Sequence, residues 1–297
     1  MARRKIIDAH HHLWDLSRGY NYPWLQDRPF GDGLLGDIAP IARDYLPADY
    51  RADTANYDLV KSVHVEAVPA NAVAETRWLE EVAGREGVAN AIVARVELQK
   101  PDAEKAIAGH GKFPRLRGIR QIVNWHKTPR FTFTDHDLLA DSAWLDGFGL
   151  LRKYGLSFDL QLYPAQMREA AELAARSPET LIIVNHTGMP LERDAAGLAA
   201  WRDGMRRLAA SDNVVAKISG LGMVDWRWTE DSIRPFVLGT IDAFGVDRVM
   251  FGSNFPVDRL YSSFDAVYGA FERIVAPFSE AEKAKLFHDN AQRHYRL

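Results

Sequence analysis

Three consecutive histidines, His10, His11 and His12, stand between an apolar run and Trp14 in the stretch IIDAHHHLWD. Residues i and i+2 of an extended chain share a face, so His10 and His12 pair while His11 turns away. Two imidazoles converging at a strand end chelate one metal ion or hold one substrate oxygen. Later apolar runs add polar groups by the same parity. SVHVEA puts His64 and Glu66 on one face, GIRQIVN puts Arg120 with Asn124, and FDLQLYP groups Asp159, Gln161 and Tyr163. His186 closes IIVNHTG before a glycine, Lys217 and Ser219 share a face in VVAKISG, and Asn254 in VMFGSNFP faces the same way as Gly252. Each alone has a plain structural explanation: Arg120 as an ion-pair partner, Lys217 as a snorkelling core lysine, Gln161 as a satisfied interior amide. Their recurrence late in successive apolar runs fits a packed interior poorly, because an unpaired buried polar group costs about 1–3 kcal/mol. A shared polar mouth accounts for all of them.

The elements that carry these groups alternate along the whole chain. Short apolar runs (KIIDAHHHLW, LVKSVHVEAV, ANAIVARVEL, LRGIRQIVNW, LSFDLQLYP, LIIVNHTGM, VVAKISGL and RVMFGSNFP) are separated by stretches with helical spacing, such as AVAETRWLEEVAGREG, DLLADSAWLDGFGLLRKYG and DAAGLAAWRDGMRRLAAS. Strand–helix alternation predicts βαβ units and a parallel sheet. Eight units in 297 residues predict one (β/α)8 barrel domain spanning residues 1–297, whose site forms at the C-terminal ends of the strands. No strand is followed by GxGxxG, the mark of an open dinucleotide-binding sheet. The polar segment from Leu16 to Tyr57 reads as a loop insertion after the first strand. Near the C-terminus, Ser279-x-x-Glu282 is a capping box and opens a final helix.

Composition excludes several classes. A formal charge of −3 offers no basic excess for nucleic acid. The absence of cysteine removes disulfides, thiolate nucleophiles and cysteine-type zinc sites. The basic start MARRK is not followed by an apolar segment, and no apolar run reaches the length of a membrane span. The expectation is a cytoplasmic protein acting on a small molecule, free of nucleic acid and membrane partners, and compatible with a homo-oligomer.

In order, IDAHHHLW, VNHTGMP, KISGL and MFGSNFPVD resemble the amidohydrolase superfamily in its amidohydrolase-2 branch, and within it the sugar-lactone and dicarboxylate-lactone hydrolases. The resemblance runs from Ile7 to the terminal NAQRHYRL. It implies a (β/α)8 barrel that hydrolyses a cyclic ester. His10 and His12 match the first-strand pair, His186 the sixth-strand histidine, and Arg120 an arginine that binds a carboxylate or lactone oxygen. The sequence departs from the pattern at Asn254, where most members carry aspartate in a GSDWP-like motif. An amide orients water or substrate but is not a general base. The fifth strand lacks a histidine, so a full binuclear metal centre is not expected, and related lactonases include metal-dependent and metal-free members.

The expected reaction is water attack on a lactone carbonyl. Arg120, Lys217 or one divalent ion, zinc foremost, held by His10, His12 and His186 stabilises the developing oxyanion. Asp258, four residues beyond Asn254, ranks first as base, ahead of Glu66, Asp159 or a neutral histidine. It competes with a structural role as partner of Arg259 or cap of the helix in SSFDAVYGAF. Glu66, Arg120, Gln161, Tyr163 and Lys217 are the expected substrate contacts, and Trp14, Trp24, Tyr163 and Trp226 an aromatic rim. The competing functions are a metal-dependent decarboxylase or amide hydrolase of the same superfamily, and a catalytically silent binding barrel.

Overall fold

The computed structural model describes residues 3–31 and 33–297; Met1 and Ala2 of the expected domain, and Asp32 in the segment after the first strand, lie outside the described residues. Each expected apolar run contains a strand: β1 Lys5–His11, β2 Asp58–Val65, β3 Ala91–Arg95, β4 Leu116–Ile122, β5 Ser157–Gln161, β6 Ile182–Val184, β7 Val214–Ile218 and β8 Val249–Phe251. They form one sheet in sequential order with parallel pairing throughout. The ends meet just past β8, where Asn254 N–H donates to the His10 carbonyl (2.7 Å) and His12 N–H to the Phe255 carbonyl (2.7 Å). The (β/α)8 barrel is thereby nearly closed.

Helices Ala72–Glu86, Ala103–His110, Met167–Arg176, Ala195–Ala209, Glu230–Phe244 and Phe264–Ile274 lie between or after the strands and bury their apolar faces in two core clusters, the first of them with Ile92 of β3 and the other five against the rest of the barrel. Side chains of Asn71, Asp194, Thr229 and Ser263 accept backbone N–H bonds at four of the N-termini, satisfying donors that the first turn leaves without partners. The stretch expected as one helix over 137–155 splits: Asp141 caps a shorter helix, Ser142–Gly149, and helical turns flank it. Gly147 in this helix presses so closely on the Leu98 carbonyl that no Cβ fits. The Ser279–Glu282 capping box forms as read, and the C-terminal segment continues through a π-helical stretch, Lys285–Asp289, to Asn290–His294. Among the described residues no helix is long and apolar enough to cross a membrane.

The connection from His12 to Tyr57 is not plain loop. It carries short helices at Pro23–Gln26 and Pro47–Asp53, and Trp14 bridges antiparallel to Tyr45. Inside the barrel, Ile7, Ala9, Val63, Val65, Val93, Ile183, Val215 and Met250 pack together over Tyr295. A register shift between Asp8 and His11 reverses the facing of β1. Before it, Ile7 and Ala9 point inward and Asp8 outward to the hydroxyls of Tyr50 and Tyr268. Beyond it His10 and His12 face inward, and His11 stacks on Tyr50 at 4.3 Å.

Below the histidines lies a fully buried ion pair, Lys217 Nζ to Asp159 Oδ1 at 2.5 Å, and the same carboxylate accepts from Tyr295 Oη (2.8 Å) and Asn185 Nδ2 (3.1 Å). Removing one partner of such a pair leaves an uncompensated buried charge. Lys217→Met should therefore cost about 3–5 kcal/mol in urea unfolding at pH 7, and adding Asp159→Asn should recover part of the loss. A single variant as stable as the native chain would refute this account.

Candidate active site

A cavity of about 350 Å³ opens where the strands end, with His12, Glu66, Arg120, Gln161, His186 and Asn254 contributing polar groups. Its walls are largely apolar, from Trp24, Leu35, Val68, Phe133, Met223 and Val257. Volume and lining suit a small organic molecule held by a few fixed polar contacts.

Arg120, at the inward end of β4, is almost wholly buried. Its Nε donates to Glu66 Oε1 at 2.6 Å, Nη2 to the Glu66 carbonyl at 2.5 Å and Nη1 to Gln161 Oε1 at 3.1 Å. A guanidinium has five N–H groups, so one on each terminal nitrogen remains for a ligand. Glu66 Oε2 in turn accepts the Val68 N–H at 2.6 Å. Val68 is β-branched, precedes Pro69 and sits at φ 56°, a strained left-handed conformation. That strain places its side chain on the cavity wall. Behind this pair, burial, reinforced by the Glu66 charge, pushes the Glu75 carboxyl up to about 8.

The three histidines come together. Ring centroids of His10 lie 5.0 Å from His12 and 4.5 Å from His186. Burial holds all three well below the ordinary imidazole value; the nearest cation adds to this, Lys217 for His10 and Arg120 for His12 and His186. They are therefore neutral, and their tautomers follow from their partners. His12 Nδ1 donates to the Val65 carbonyl at 2.7 Å, which leaves the lone pair on Nε2 beside Asn254 Oδ1 at 3.3 Å. Lys217 Nζ lies 3.5 Å from His10 Nδ1, so the His10 proton sits on Nε2, a buried atom without a hydrogen-bond partner among the described residues. His186 Nδ1 lies 2.9 Å from Ser219 Oγ.

His186 opens a turn in which four consecutive residues, His186, Thr187, Gly188 and Met189, have positive φ. Such winding costs roughly 1–2 kcal/mol per non-glycine residue. Trp201 Nε1 holds it by donating to the Thr187 carbonyl at 2.7 Å. Gly220, at φ 61°, is required beside it, because a Cβ there would strike the His186 ring.

This donor set does not fit the expected metal. His10 turns an N–H into the cluster, which leaves at most two of the three rings with a lone pair to offer, and an amide occupies the eighth-strand position. Among the described residues no group of three His, Asp or Glu side chains is arranged to hold a metal ion.

The remaining expected residues lie outside the cavity lining. Lys217 is sealed below, against Asp159. Tyr163 is buried and donates to the Phe131 carbonyl, because the chain leaves β5 at Gln161 and parity no longer applies. Asp258 is buried behind Asn254, whose Nδ2 donates to it. Neither structural role considered for Asp258 is realised: Arg259 reaches Asp53 at 3.7 Å, and Ser263 caps the helix. His64 does not share a face with Glu66. It points to His11 and the Leu13 carbonyl, while Glu66, past the end of β2, turns into the cavity. Of the expected rim only Trp24 lines the cavity; Trp14 is buried, and Trp226 stacks on Tyr261. Arg95 was missed, although it ends β3 and the strand-end criterion points to it.

The profile of the family described as Amidohydrolase matches residues 7–297. An uncharacterised protein of Sinorhizobium fredii is 46% identical, with both chains covered in full. An L-fucono-1,5-lactonase of Burkholderia multivorans is 31% identical over 98% of this chain and 96% of its own. A crystal structure of an amidohydrolase from Burkholderia multivorans with bound zinc superposes with a TM-score of 0.81 at 29% identity, covering 98% of this chain and 99% of that one. The matched residues run from β1 to the C-terminus and so include the whole barrel, and the chain belongs to the amidohydrolase family.

Proposed function

We propose that the protein opens a sugar-acid lactone by hydrolysis of its ring ester. One observation carries this reading: a neutral His12 with its lone pair on Nε2 and an Arg120 with two uncommitted N–H groups share one largely apolar cavity. Likeness to an enzyme named for L-fucono-1,5-lactone supports a 1,5-lactone as the first substrate class.

The carbonyl oxygen binds at the free N–H groups of Arg120. Glu66 and Gln161 fix the guanidinium, so little reorganisation is needed when charge develops on that oxygen. His12 Nε2 takes a proton from the attacking water as the carbon–oxygen bond forms. Collapse of the tetrahedral intermediate breaks the ring C–O bond, and the imidazolium returns the proton to the departing ring oxygen. The product is the open hydroxy acid, whose carboxyl group loses its remaining proton to solvent and stays paired with Arg120 as a carboxylate. No step uses Lys217, whose ammonium is sealed beneath the histidines by Asp159.

Two outcomes are expected. Because Arg120→Met alone would strand the Glu66 carboxylate, the comparison is Glu66→Gln with Glu66→Gln/Arg120→Met. The second change should lower kcat/KM on a sugar-acid 1,5-lactone by about 10²–10³-fold and leave the urea midpoint near that of the single variant. Equal kcat/KM for the two would remove Arg120 from the reaction. Since the histidines do not form a metal-binding group, lactone turnover should survive exhaustive chelation within about twofold. Loss on chelation with recovery on added zinc would overturn that arrangement, and failure of every sugar-acid lactone would overturn the function.

A further inference from the structure

Asn254 lies between two groups that compete for its amide. Its Nδ2 donates to Asp258 Oδ2 at 2.5 Å, and its Oδ1 stands 3.3 Å from His12 Nε2. The His12 proton is on Nδ1, engaged with the Val65 carbonyl at 2.7 Å, so Oδ1 and Nε2 face each other as two acceptors. Such a pair cannot bond directly. It can take the two hydrogens of one water, leaving that water's lone pairs directed at the cavity. Turning the amide over puts an N–H on His12 Nε2 and occupies the lone pair that a base needs.

We propose that Asp258 is a positioning residue that holds the Asn254 carbonyl toward His12 and thereby keeps the water-activating pair open. This rests on the hydrolytic reading above. The carboxylate is built into the fold for that contact. Gly222 N–H donates to Asp258 Oδ1 at 3.2 Å, and a side chain at Gly222 would collide with this oxygen. Oδ2 is left for Asn254. An ionised Oδ2 only accepts, which fixes the NH2 end of the amide inward. A protonated Oδ2 becomes a donor and favours the reversed amide, which blocks His12.

The surroundings leave that choice to the proton on Asp258. The turn Leu221–Val224 presents only the Gly222 N–H, and Tyr261 presents a neutral phenol whose hydroxyl donates to the Leu35 carbonyl. Arg259 points away to Asp53, and His12 is screened by the amide itself. Burial pushes Asp258 up to about 7, so both amide orientations are accessible near neutral pH. The active one gains as pH rises, because deprotonation restores the acceptor.

The test compares native protein with Asp258→Asn. In the variant the single carbonyl oxygen stays with Gly222 N–H, so its NH2 faces Asn254 and imposes the blocked orientation at every pH. For the native protein, kcat/KM on a sugar-acid 1,5-lactone should climb with pH through a midpoint near that of Asp258. The variant should lose roughly 10²-fold in kcat, the scale of general-base assistance, with KM within about twofold and the climb abolished. The second readout needs no turnover: the Asn254 side-chain NH2 resonances, assigned by their loss in Asn254→Ala, should shift with the same midpoint in the native protein and be pH-independent in the variant. If no lactone reacts but the resonances behave this way, the hydrolase reading falls and the positioning role stands. An unchanged acid limb in the variant, or resonances that titrate identically in both proteins, overturns the proposal.

Discussion

Asp8 is fully buried at the seam between the first and last strands and takes hydrogen bonds from five donors. These are Ser253 N (2.7 Å) and Oγ (2.6 Å), Tyr50 Oη (2.8 Å), Tyr268 Oη (3.3 Å) and His10 N (3.2 Å). Burial alone would drive the carboxyl toward its neutral form, and these donors oppose it. The contacts tie β1, the end of β8 and two covering helices to one point. Everything above depends on that point. It sits at the register shift that turns His10 and His12 inward, and Gly252 meets His10 there so closely that no side chain fits between them. Asn254 follows two residues later and shares the seam's hydrogen bonds. Closing the barrel and building the site are therefore one event.

Charge inside the barrel is arranged in compensated pairs under and beside the cavity. Lys217 answers Asp159 below, and Arg120 answers Glu66 at the wall. Between them the imidazoles remain neutral because their surroundings are dry and already cationic. A buried ion pair is weak evidence for stability, and here its effect is local: Glu66 fixes the Arg120 guanidinium at the mouth, and Asp159 holds the Lys217 ammonium beneath the histidines. The apolar walls keep solvent from screening the uncommitted face of Arg120, where a polar contact is strongest.

Much of this was legible in the residues. All eight strands lie in the apolar runs, since a parallel strand buried on both faces reads as a nearly continuous hydrophobic segment. Parity pairs His10 with His12 and places Arg120 and Gln161, but the inward facing of the histidine pair comes from the register shift after Asp8, which parity does not show. Parity failed where the chain stopped being a strand. Glu66, one residue past β2, turned into the cavity while His64 turned out, and Tyr163, two past β5, left the site. No pattern of residue types announces a left-handed turn at His186 or a bend at Val68, because those conformations are imposed by tertiary contacts. The position of Asp258 behind Asn254, rather than in the mouth, was invisible for the same reason: a four-residue separation suggests reach, but only the folded loop shows what lies in between.

The backbone at Asn254 adopts φ 58°, a region that asparagine and aspartate enter more readily than other side-chain-bearing residues. The barrel seam therefore screens this position by conformation and is indifferent to which of the two it receives. An amide and an acid are nearly the same shape, and they exchange by a single-base change in the codon. The step between an acid and an amide at the mouth is therefore tolerated by the backbone yet chemically large, because only the amide can donate to Asp258. New chemistry at this position is thus a short evolutionary distance away, although an acid there would have to share a proton with the carboxyl four residues on, where the amide donates to it.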